Sequence, residues 1–526
     1  MADQDWPQAG STQVDTAEAE AAKRGAFSSR RVFIFAAIGS AVGLGNIWRF
    51  PYVAYENGGG AFIIPYLVAL LAAGIPFLWF DYSLGHKFRG SAPLTFARLK
   101  RRFEWLGWWQ VLICFVIGVY YAAVLAWAVS YTIFSVDKRW GDDPAGFFIG
   151  EYLQVGAAGV QVSIVPGVLI PLLGVWVAIG LVMLLGVQRG VGLTSVIFIP
   201  LLIIAFVLLV IRALMLPGAA VGLDALFTPD WGALLHPGVW AAAFGQIFFS
   251  LSIGFGIMIT YSSYVDRKTD MTGSGMVVGF ANSSFEILAG IGVFAALGFM
   301  AQASGVAVTD VVASGVGLAF IAFPAIISEA PGGALLGVLF FFSLVVAGGT
   351  SLISVIEVVI SGIRDKFEMS RKAATAAVLV PMTVISLLFF STTSGLHVLD
   401  IVDHFVNRFG ILLVAVISLF MVGWGIRRLK DLGNHLNLTG NVRLGQWWVV
   451  LLQVVVPLVL SLVLLQELWA VIKEPYGGGD YPQWMLIVFG WAMAISLPIL
   501  GWVAARVPWR EDTSLAEPAH TMKEVS

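Results

Sequence analysis

Twelve long stretches of apolar residues constrain this chain more than any other feature of its sequence. A helix that crosses a bilayer needs about 20 mostly apolar residues, and every stretch reaches that length. Apolar residues make up 59% of the 526 residues and charged residues only 12%, about half the charged fraction of an average soluble domain. This composition predicts a multispan membrane protein and excludes soluble enzymes, nucleic-acid-binding proteins and secreted modules. The predicted spans cover residues 31–55, 60–87, 107–136, 163–186, 191–214, 238–265, 273–302, 333–363, 373–392, 397–425, 446–471 and 484–506.

The polar segments between these stretches are short, and their positive charges are unevenly distributed. Lysine and arginine concentrate before span 1 and after spans 2, 6, 8 and 10, whereas the alternate loops carry few. Cytoplasmic loops of membrane proteins carry an excess of these residues, so both termini are predicted to be cytoplasmic. Residues 1–22 and 509–526 are polar and are predicted to be disordered, and residues 507–526 are predicted to form a cytoplasmic tail. The short loops on the other side favour the plasma membrane of a bacterium, its inner membrane.

Two of the predicted spans are interrupted by glycine near their middle. Span 1 contains Gly43-Leu-Gly45, and span 6 contains Gly254-Phe-Gly256. Each motif alone is also compatible with close helix packing through small residues. However, span 1 opens the group of spans 1–5, span 6 opens the group of spans 6–10, and the two enter the membrane from opposite sides. Matching interruptions in two inverted halves are typical of the mid-membrane binding site of a secondary transporter.

The inverted halves would occupy residues 23–214 and 237–425, and two further helices would follow within residues 446–506. Broken helices expose amide groups with positive partial charge and carbonyl groups with negative partial charge, which suit the two ends of a zwitterionic amino acid. Oxygen-bearing side chains, which hard cations prefer as ligands, concentrate near the interruptions and in spans 7 and 8. They are Ser40, Asn46, Gln246, Ser250, Ser252, Asn282, Glu286, Thr350 and Ser351.

Long and specific motifs surround both interruptions. One runs Ala41-Val-Gly-Leu-Gly-Asn46-Ile-Trp-Arg49-Phe-Pro51, and the other runs Gly245-Gln-Ile-Phe-Phe249-Ser250-Leu-Ser252-Ile-Gly-Phe255-Gly256. In these motifs the chain resembles the neurotransmitter:sodium symporter family, in its bacterial amino-acid branch. The likeness covers spans 1 to 10 and extends loosely to spans 11 and 12. The resemblance implies an all-α membrane protein of twelve transmembrane helices with the LeuT-like fold, a 5+5 inverted repeat whose helices 1 and 6 are unwound at mid-membrane.

The resemblance also implies sodium-coupled symport by alternating access, with two sodium ions and no enzymatic activity. Backbone carbonyls, side-chain amide oxygens and hydroxyls would be the ligands. The first sodium site would use Ala41, Asn46, Ser250 and Asn282. The second would use Gly39, Val42, Ala347, Thr350 and Ser351.

The same resemblance places the substrate between helices 1, 3, 6 and 8. Monoamine carriers of the family have Asp where this chain has Gly43, which leaves room for a carboxylate and implies an α-amino acid. The side-chain pocket would be apolar with small hydroxyls, where an unpaired charge is costly, so a neutral, mainly hydrophobic amino acid is expected. The implied substrate-binding residues are Ser40, Ala41, Gly43, Leu44, Gly45, Ile117, Tyr121, Phe249, Ser250, Ser252, Phe255, Ser351 and Val355.

Charged residues inside the predicted spans are functional candidates, because a charge in a membrane is costly. By resemblance, Arg49 and Asp403 would form an outer gate. Arg24 and Asp365 would form the inner gate, and Tyr264 would support this pair.

Four further charges complete the set of candidates. Chloride-dependent relatives have serine at the position of Glu286, so this carboxylate would supply the negative charge and transport is expected to be independent of chloride. Glu357 and Arg408 match no clear family role. We expect them to pair with each other, or with Glu286 and Asp81, because a lone charge would be unfavourable there. Asp81 is otherwise expected to tie helix 2 to the cytoplasmic ends of the helices.

Other functions remain open at this stage. A carrier of an osmolyte or of a GABA-like amino acid, a substrate sensor and a channel are all compatible with the same scaffold. A membrane enzyme lacks support, because the sequence has no paired metal-ligand motif, nucleophile elbow or phosphate loop. The expected partners are the amino acid, sodium and the lipid bilayer, with no nucleic acid, and the sequence leaves monomer and homodimer undecided.

Overall fold

The computed structural model describes residues 26–313, 315–367, 369–511 and 513–518, and these ranges are mainly helical. The predicted tail 1–22 and the expected gate residue Arg24 lie outside the described residues. Among the described residues, twelve long helical units follow one another, with shorter helices such as Ala92–Leu99, Ala219–Phe227 and Leu429–Asn437 between them. The first and the sixth long units are divided in two. The long units are α1a (Arg30–Ala41), α1b (Leu44–Glu56), α2 (Gly60–Phe88), α3 (Arg101–Phe134), α4 (Pro166–Leu184), α5 (Val187–Leu214), α6a (Pro237–Ser250), α6b (Ile257–Ser262), α7 (Met271–Ser304), α8 (Gly333–Lys366), α9 (Arg371–Phe390), α10 (Gly395–Gly425), α11 (Gln446–Lys473) and α12 (Gln483–Arg506).

Within the described ranges, ten of these helices are individually long and apolar enough to cross a membrane, and the bent pair α1a and α1b makes an eleventh span. The halves of α6 contain 14 and 6 residues, so each half is too short to cross a membrane alone. The sixth predicted span therefore corresponds to two short helices rather than to one long helix. Helix ends agree with the predicted ends within a few residues. The largest difference is at α3, which begins at Arg101 rather than at residue 107, because hydropathy does not detect a polar first turn.

The interruption of α1 lies where the sequence predicts it. α1a ends at Ala41, α1b begins at Leu44, and the two axes differ in direction by 53°. Val42 and Gly43 between them have extended backbone. Extended residues cannot continue the helical hydrogen bonds, so carbonyl groups at the end of α1a and amide groups at the start of α1b lack intrahelical partners.

The interruption of α6 is longer and spans residues 251–256. Ser252, Gly254 and Gly256 have φ values of +52°, +84° and +92° in this segment. Glycine adopts this left-handed region without strain, whereas a side chain disfavours it. The two glycines therefore explain why the chain can turn here. Ser252 is held in the strained region by its own side chain, whose hydroxyl donates to the Ser40 carbonyl oxygen at 2.9 Å.

The most deeply buried helices form the centre of the bundle. In the most apolar windows of α3 and α8, 78% and 83% of the residues are buried, against 33% or less in α4, α9, α11 and α12. α3 and α8 pack along each other, α5 packs against α7 and α8, and both halves of α6 pack against α2. The peripheral helices expose large apolar side chains such as Leu458 and Ile495, as expected of surfaces that face lipid.

Loop contacts define two ends of the bundle, which we name the basic end and the opposite end. At the basic end the Phe27 amide donates to the Tyr264 carbonyl oxygen at 3.1 Å, and the Asn441 side chain donates to Asp270 at 2.7 Å. At the opposite end, the loop after α11 covers α10, where Tyr476 stacks on His404 with ring centroids 3.9 Å apart. The basic end comprises residues 26–29, 89–100, 263–270, 365–367, 369–371, 426–445, 507–511 and 513–518.

α2 and α6b approach each other most closely at Gly85. A Cβ atom added there would overlap the Ile259 carbonyl oxygen and the Ser262 hydroxyl. We expect Gly85→Ala to destabilise the protein by about 1–3 kcal/mol through overpacking. Thermal unfolding of the purified protein in detergent measures the effect.

The matched control is Gly174→Ala in α4, where an added Cβ would meet nothing within 4 Å. This substitution should be neutral or stabilising by up to about 1 kcal/mol, because alanine favours a helix over glycine. Equal unfolding midpoints for the Gly85 and Gly174 variants would contradict the close approach of α2 and α6b.

Candidate functional site

The two interruptions lie against each other at the centre of the bundle and are joined by serine side chains. The Ser252 hydroxyl of the α6 interruption donates to the Ser40 carbonyl oxygen at 2.9 Å. The Ser351 hydroxyl of α8 lies 3.3 Å from the carbonyl oxygens of both Gly39 and Ser40. The end of α1a leaves carbonyl groups without helical partners, and these serine hydroxyls bind them. Such partners are needed because unpaired backbone groups inside a membrane are costly.

The residues expected at the first sodium site form one buried chain of hydrogen bonds. The Asn46 side-chain oxygen accepts from the Gly43 amide at 2.8 Å, and the Asn46 nitrogen donates to the Asn282 oxygen at 2.8 Å. The Asn282 nitrogen donates in turn to the Ser250 hydroxyl at 3.0 Å. Ala41, the remaining expected ligand, is the buried last residue of α1a. The structure thus brings side chains of α1b, α6a and α7 together, and their oxygens are of the kind that hard cations prefer.

The residues expected at the second sodium site meet at the end of α1a. The Thr350 hydroxyl donates to the Ala347 carbonyl oxygen at 3.0 Å, and the Ser351 hydroxyl reaches the Gly39 carbonyl as described above. A Cβ added to Gly39 would lie 3.1 Å from the Thr350 Cβ, so α1a and α8 are in direct contact. Val42, the fifth expected ligand, lies in the extended segment at the break.

The residues expected to line the side-chain pocket keep a small accessible surface although they lie at the centre of the bundle. Ser40 is 3% exposed, and Ile117, Phe255, Ser351 and Val355 are 5–8% exposed. Residues next to them in sequence or one turn away are 0% exposed, namely Cys114, Ile253 and Ile356. The expected pocket residues are therefore nearly buried, and most of them are slightly less buried than their neighbours.

The start of α1b presents its amide groups beside an aromatic hydroxyl. The Leu44 amide lies 3.4 Å from the Tyr121 hydroxyl oxygen, to which it donates. A Cβ added at Gly43 would lie 3.3 Å from the same hydroxyl, and one added at Gly45 would lie 2.8 Å from the Phe249 ring. Glycine at these two positions therefore lets the Tyr121 hydroxyl and the Phe249 ring lie close to the start of α1b, which larger residues would prevent.

The two residues expected at the outer gate have separate partners in this conformation. The Arg49 guanidinium lies over the Phe249 ring, 4.3 Å from its centroid. Asp403 instead accepts hydrogen bonds from the Tyr120 hydroxyl at 2.6 Å and from the Asn407 side chain at 2.8 Å. Phe249 is thus in contact with the gate arginine, while the gate carboxylate is held by α3 and by its own helix.

Glu286 lies at the centre of a buried polar cluster. Its carboxylate accepts hydrogen bonds from the Tyr66 hydroxyl and from the Gln246 side chain, the latter at 2.7 Å. Ser250, the residue that joins Asn282 to α6a, belongs to the same part of the bundle. The structure therefore places the carboxylate beside the expected first sodium site, on α7.

At the basic end, the expected inner-gate residues have partners on several helices. Asp365 accepts a hydrogen bond from the Ser91 amide at 2.8 Å. The Tyr264 hydroxyl donates to Glu357 of α8 at 2.8 Å. Arg24, the third expected member, lies outside the described residues.

The expected partners of Glu357 and Arg408 were wrong. Both carboxylate oxygens of Glu357 are bound by the Arg371 guanidinium, at 2.9 and 2.6 Å, and Arg408 pairs with Glu467 of α11. The prediction for Arg408 overlooked Glu467, although this residue lies within the predicted span 446–471. The prediction for Glu357 failed because it considered only charges inside the predicted spans. Arg371 is the first residue of α9 and was assigned to a loop, and the short connection between α8 and α9 returns it to Glu357.

Asp81 neither pairs with these charges nor reaches the basic end, so that expectation was also wrong. Its carboxylate accepts from the Gly254 amide at 2.9 Å, inside the α6 interruption. α3 holds the same segment from another side, because Gln110 donates to the Gly254 carbonyl at 3.1 Å and the Cys114 thiol donates to the Phe255 carbonyl at 3.2 Å. Backbone groups freed by the break are thus bound by side chains of α2 and α3.

Sequence reasoning missed several residues that shape this site. Gln110 is a polar residue within an apolar span, which is a detectable sign of a buried hydrogen-bonding role. Tyr120 is adjacent to the expected Tyr121, but choosing between neighbouring tyrosines requires knowing which face of α3 meets α10. Arg371 follows Ser370, whose side chain caps the first turn of α9, and the start of a helix is poorly resolved by hydropathy.

Known proteins are similar to this chain over most of its length. The model of the sodium:neurotransmitter symporter family matches residues 24–143 and 139–509. Over 460 residues the chain is 41% identical to an uncharacterized sodium-dependent transporter of Methanocaldococcus jannaschii, covering 87% of this chain and 93% of that protein.

Two human proteins are more distantly similar. The chain is 30% identical to the human sodium- and chloride-dependent taurine transporter, covering 93% of this chain and 85% of that protein. It is 28% identical to the human sodium- and chloride-dependent neutral and basic amino acid transporter B(0+), covering 90% of this chain and 84% of that protein. The similarity therefore extends over nearly the whole length of the chain rather than over single motifs.

The pair Glu357–Arg371 provides a test of the charge arrangement at the basic end. The Glu357 side chain is 0% exposed and that of Arg371 16%, and removing one member of a buried pair destabilises a protein by about 3–5 kcal/mol. We expect Glu357→Gln and Arg371→Gln each to lower the thermal unfolding midpoint strongly. The double variant should recover most of the loss, because no unpaired charge remains.

A control for this cycle is the exposed pair Asp137–Arg139, whose charged atoms are 3.7 Å apart. Asp137→Asn should change stability by less than about 1 kcal/mol. If the effects of the two single substitutions at 357 and 371 simply add in the double variant, the pairing is refuted.

Proposed function

The chain belongs to the sodium:neurotransmitter symporter family and is a sodium-dependent membrane transporter rather than an enzyme, and we propose that it imports a neutral, mainly hydrophobic L-amino acid. The observation that carries this proposal is the meeting of the two helix interruptions at the centre of the bundle, where the Ser252 hydroxyl binds the Ser40 carbonyl and nearly buried apolar side chains lie nearby. An import role also rests on the predicted orientation, in which the basic end faces the cytoplasm.

The ends of the broken helices supply the recognition of the amino-acid backbone. The amides at the start of α1b carry positive partial charge and suit a carboxylate, which the Tyr121 hydroxyl beside Leu44 would also bind. Carbonyl groups around Ala41 and Phe249 would receive the ammonium group. Gly43 leaves this region without a fixed charge, so a substrate that brings its own carboxylate fits better than an amine.

The pocket beyond the backbone-binding groups determines the substrate class. Ile117, Phe255 and Val355 contribute apolar surface, and Ser252 and Ser351 contribute hydroxyls that already bind carbonyl oxygens. A charged substrate side chain would find no opposite charge among these residues, and burying it unpaired is costly. Neutral side chains are therefore favoured.

Two sodium ions are proposed as co-substrates. The chain of Asn46, Asn282 and Ser250 offers ligands for one ion, and the hydroxyls of Thr350 and Ser351 with nearby carbonyls offer ligands for the other. One charge that crosses a potential of 100 mV releases about 2.3 kcal/mol, so two sodium ions with a neutral zwitterion release about 4.6 kcal/mol. That energy supports accumulation of substrate before any contribution from the sodium gradient.

We propose that Glu286 makes transport independent of chloride. The carboxylate is buried and bound by Tyr66 and Gln246, so it brings a fixed negative charge close to the proposed first sodium site. A mobile anion would then be unnecessary for neutralising the bound cation. This differs from the two human relatives, whose names describe dependence on both sodium and chloride.

Alternating access would proceed by movement of α1, α2, α6 and α7 against the remaining helices. Arg49 and Asp403 would approach each other when the opposite end closes. At the basic end, opening would separate Tyr264 of the moving group from Glu357 of α8, which keeps its bidentate partner Arg371. Glu357 would therefore not be stranded as a lone charge during the opening.

The alternative substrate is a taurine-like osmolyte. The human taurine transporter is as similar to this chain as the human amino acid transporter is, and taurine is also a zwitterion without a charged side chain. The apolar lining formed by Ile117, Phe255 and Val355 argues for the amino acid, since taurine has no side chain to occupy it.

The proposed function predicts sodium-driven accumulation in vesicles. Purified protein is reconstituted with an inward sodium gradient, and uptake of labelled leucine is followed with potassium in place of sodium and with gluconate in place of chloride. We expect uptake with sodium, none with potassium, and no loss with gluconate. Gly43→Asp should abolish uptake, because its carboxylate would occupy the space beside Tyr121 and repel the substrate carboxylate.

Each other outcome removes a defined part of the proposal. Uptake in potassium would refute sodium coupling. Uptake lost in gluconate would refute the role of Glu286 and leave symport intact. If excess taurine inhibits uptake more strongly than excess neutral amino acids do, the osmolyte alternative replaces the amino acid.

Replacing Glu286 tests the chloride proposal directly. We expect Glu286→Ser to transport only when chloride is present, because the serine hydroxyl removes the fixed negative charge and leaves the polar groups of Tyr66 and Gln246 to an anion. Uptake is measured in chloride and in gluconate for this variant and for the unmodified protein. Equal uptake by the variant in both anions would contradict the proposal.

A further inference from the structure

The described part of the C-terminal segment lies against the basic end. We name residues 507–511 and 513–518 the tail strap. Near its beginning, the Trp509 indole donates to Glu104 of α3 at 2.8 Å, and the Arg510 amide donates to the Lys366 carbonyl of α8 at 3.3 Å. The Lys366 ammonium lies 4.5 Å from the centroid of the Trp509 ring. The strap is thus fixed to α3 and α8, the two helices at the centre of the bundle.

The anchoring site at α3 and α8 is a buried charge cluster. The Glu104 and Lys366 side chains are both 0% exposed and pair with each other. Glu104 also accepts from the Trp108 indole at 3.0 Å and pairs with Arg101. Trp509 therefore covers the pair Glu104–Lys366, in which Glu104 already has three other partners among the described residues. The Trp509 indole adds one more hydrogen-bond donor to Glu104.

The far end of the strap is held by cations of other elements. Glu517 pairs with Lys87 of α2 at 3.1 Å and with Arg428 at 2.8 Å. Between the two anchors, the Ser514 carbonyl accepts from Arg98 at 2.9 Å. The strap therefore bridges from α3 and α8 to the end of α2.

The cations at the far end have a second acidic partner. Asp431, in the helix Leu429–Asn437, lies 2.8 Å from Lys87 and 2.6 Å from Arg428. If Glu517 moves away, both cations keep Asp431, so undocking does not leave Lys87 unpaired at a site where its side chain is only 6% exposed. The contact of Glu517 is thus separable from the rest of the network.

The charge state of this network is constant near neutral pH. Partial burial acts to raise the pKa of Glu517 and of Asp431, but hydrogen bonds and charge from Lys87 and Arg428 outweigh it and hold both pKa values below their ordinary range. A carboxylate with a lowered pKa keeps its stabilising contact above its ordinary pKa and loses it only as the pH falls through the lowered value. The contact therefore persists across physiological pH.

We propose that the tail strap docks on the cationic surface formed by Lys87, Arg98 and Arg428 and restrains opening of the basic end. This inference rests on the proposed function, because α2 moves relative to α3 and α8 only if the protein works by alternating access. A strap fixed to both groups must release one anchor before they separate. The Glu517 side chain is 36% exposed, and solvent weakens ion pairs at exposed positions. The contact of Glu517 is therefore the anchor that we expect to release.

The first experiment compares Glu517→Gln with the unmodified protein by hydrogen–deuterium exchange in detergent. Loss of a partly exposed ion pair corresponds to about a two- to fivefold change in an equilibrium. We expect deuterium exchange to accelerate by about that factor in residues 507–518 and also in residues 257–265, which include α6b. The second region reports opening of the basic end, because Tyr264 there is bound to Glu357.

Glu511→Gln is the matched control. Glu511 is an exposed acid in the same strap, outside the network of Lys87 and Arg428, and its substitution should leave exchange in both regions unchanged. Faster exchange in the strap alone would overturn the proposal, because release would then have no effect on the gate. Unchanged exchange in the Glu517 variant would overturn it as well.

A parallel uptake measurement separates this inference from the proposed function. If the unmodified protein shows no sodium-driven accumulation, the proposed function fails while the exchange data still show whether the strap restrains α6b. If the unmodified protein transports and Glu517→Gln has the same exchange pattern and the same KM for external leucine, only the strap proposal fails. A raised KM is the expected result, since outward-facing protein becomes less populated.

Discussion

The requirement that buried backbone groups find hydrogen-bond partners shapes the centre of this protein. Interrupting α1 and α6 frees carbonyl and amide groups where no water is available to compensate them. The carbonyl of Ser40 is bound by Ser252 and Ser351, and the backbone of Gly254 is bound by Asp81 and Gln110. The amides of Gly43 and Leu44 at the start of α1b are bound in the same way, by Asn46 and Tyr121. Side chains of the scaffold therefore stabilise both breaks.

Buried charged side chains also need hydrogen-bond partners, and leaving them unpaired costs more free energy than leaving a backbone group unpaired. Three deeply buried carboxylates in the described bundle have several donors each, namely Glu104, Glu286 and Glu357. The donors come from different helices, so these acids fix the relative positions of helices as well as satisfying charge. Glu286 is bound within the group of helices proposed to move, whereas Glu357 joins that group to α8 and α9. The position of Glu286 therefore suits a permanent role in cation binding. The contact between Tyr264 and Glu357 is instead one that would break when the basic end opens.

Much of the architecture could be predicted from the sequence because it depends on local composition. Hydropathy located the long helices, and glycine in the middle of spans 1 and 6 located both breaks. The motifs around Asn46 and Ser250 correctly indicated residues that meet in space, although their roles as sodium ligands remain a proposal. The partners of Glu357 and Arg408 could not be predicted, because a charged side chain reaches any helix that packs against its face. The sequence pattern contains no information about which helix that is.

The sequence by itself determined the membrane class, the number of long apolar segments and the positions of the breaks, since each follows from the chemistry of neighbouring residues. Only the tertiary structure decided that Tyr120 rather than Tyr121 holds Asp403, that Asp81 binds the α6 break, and that the tail strap reaches Lys87. These contacts join residues separated by 173 to more than 400 positions in the chain. Their choice depends on helix rotation and packing, which are set by the whole bundle and not by any one segment.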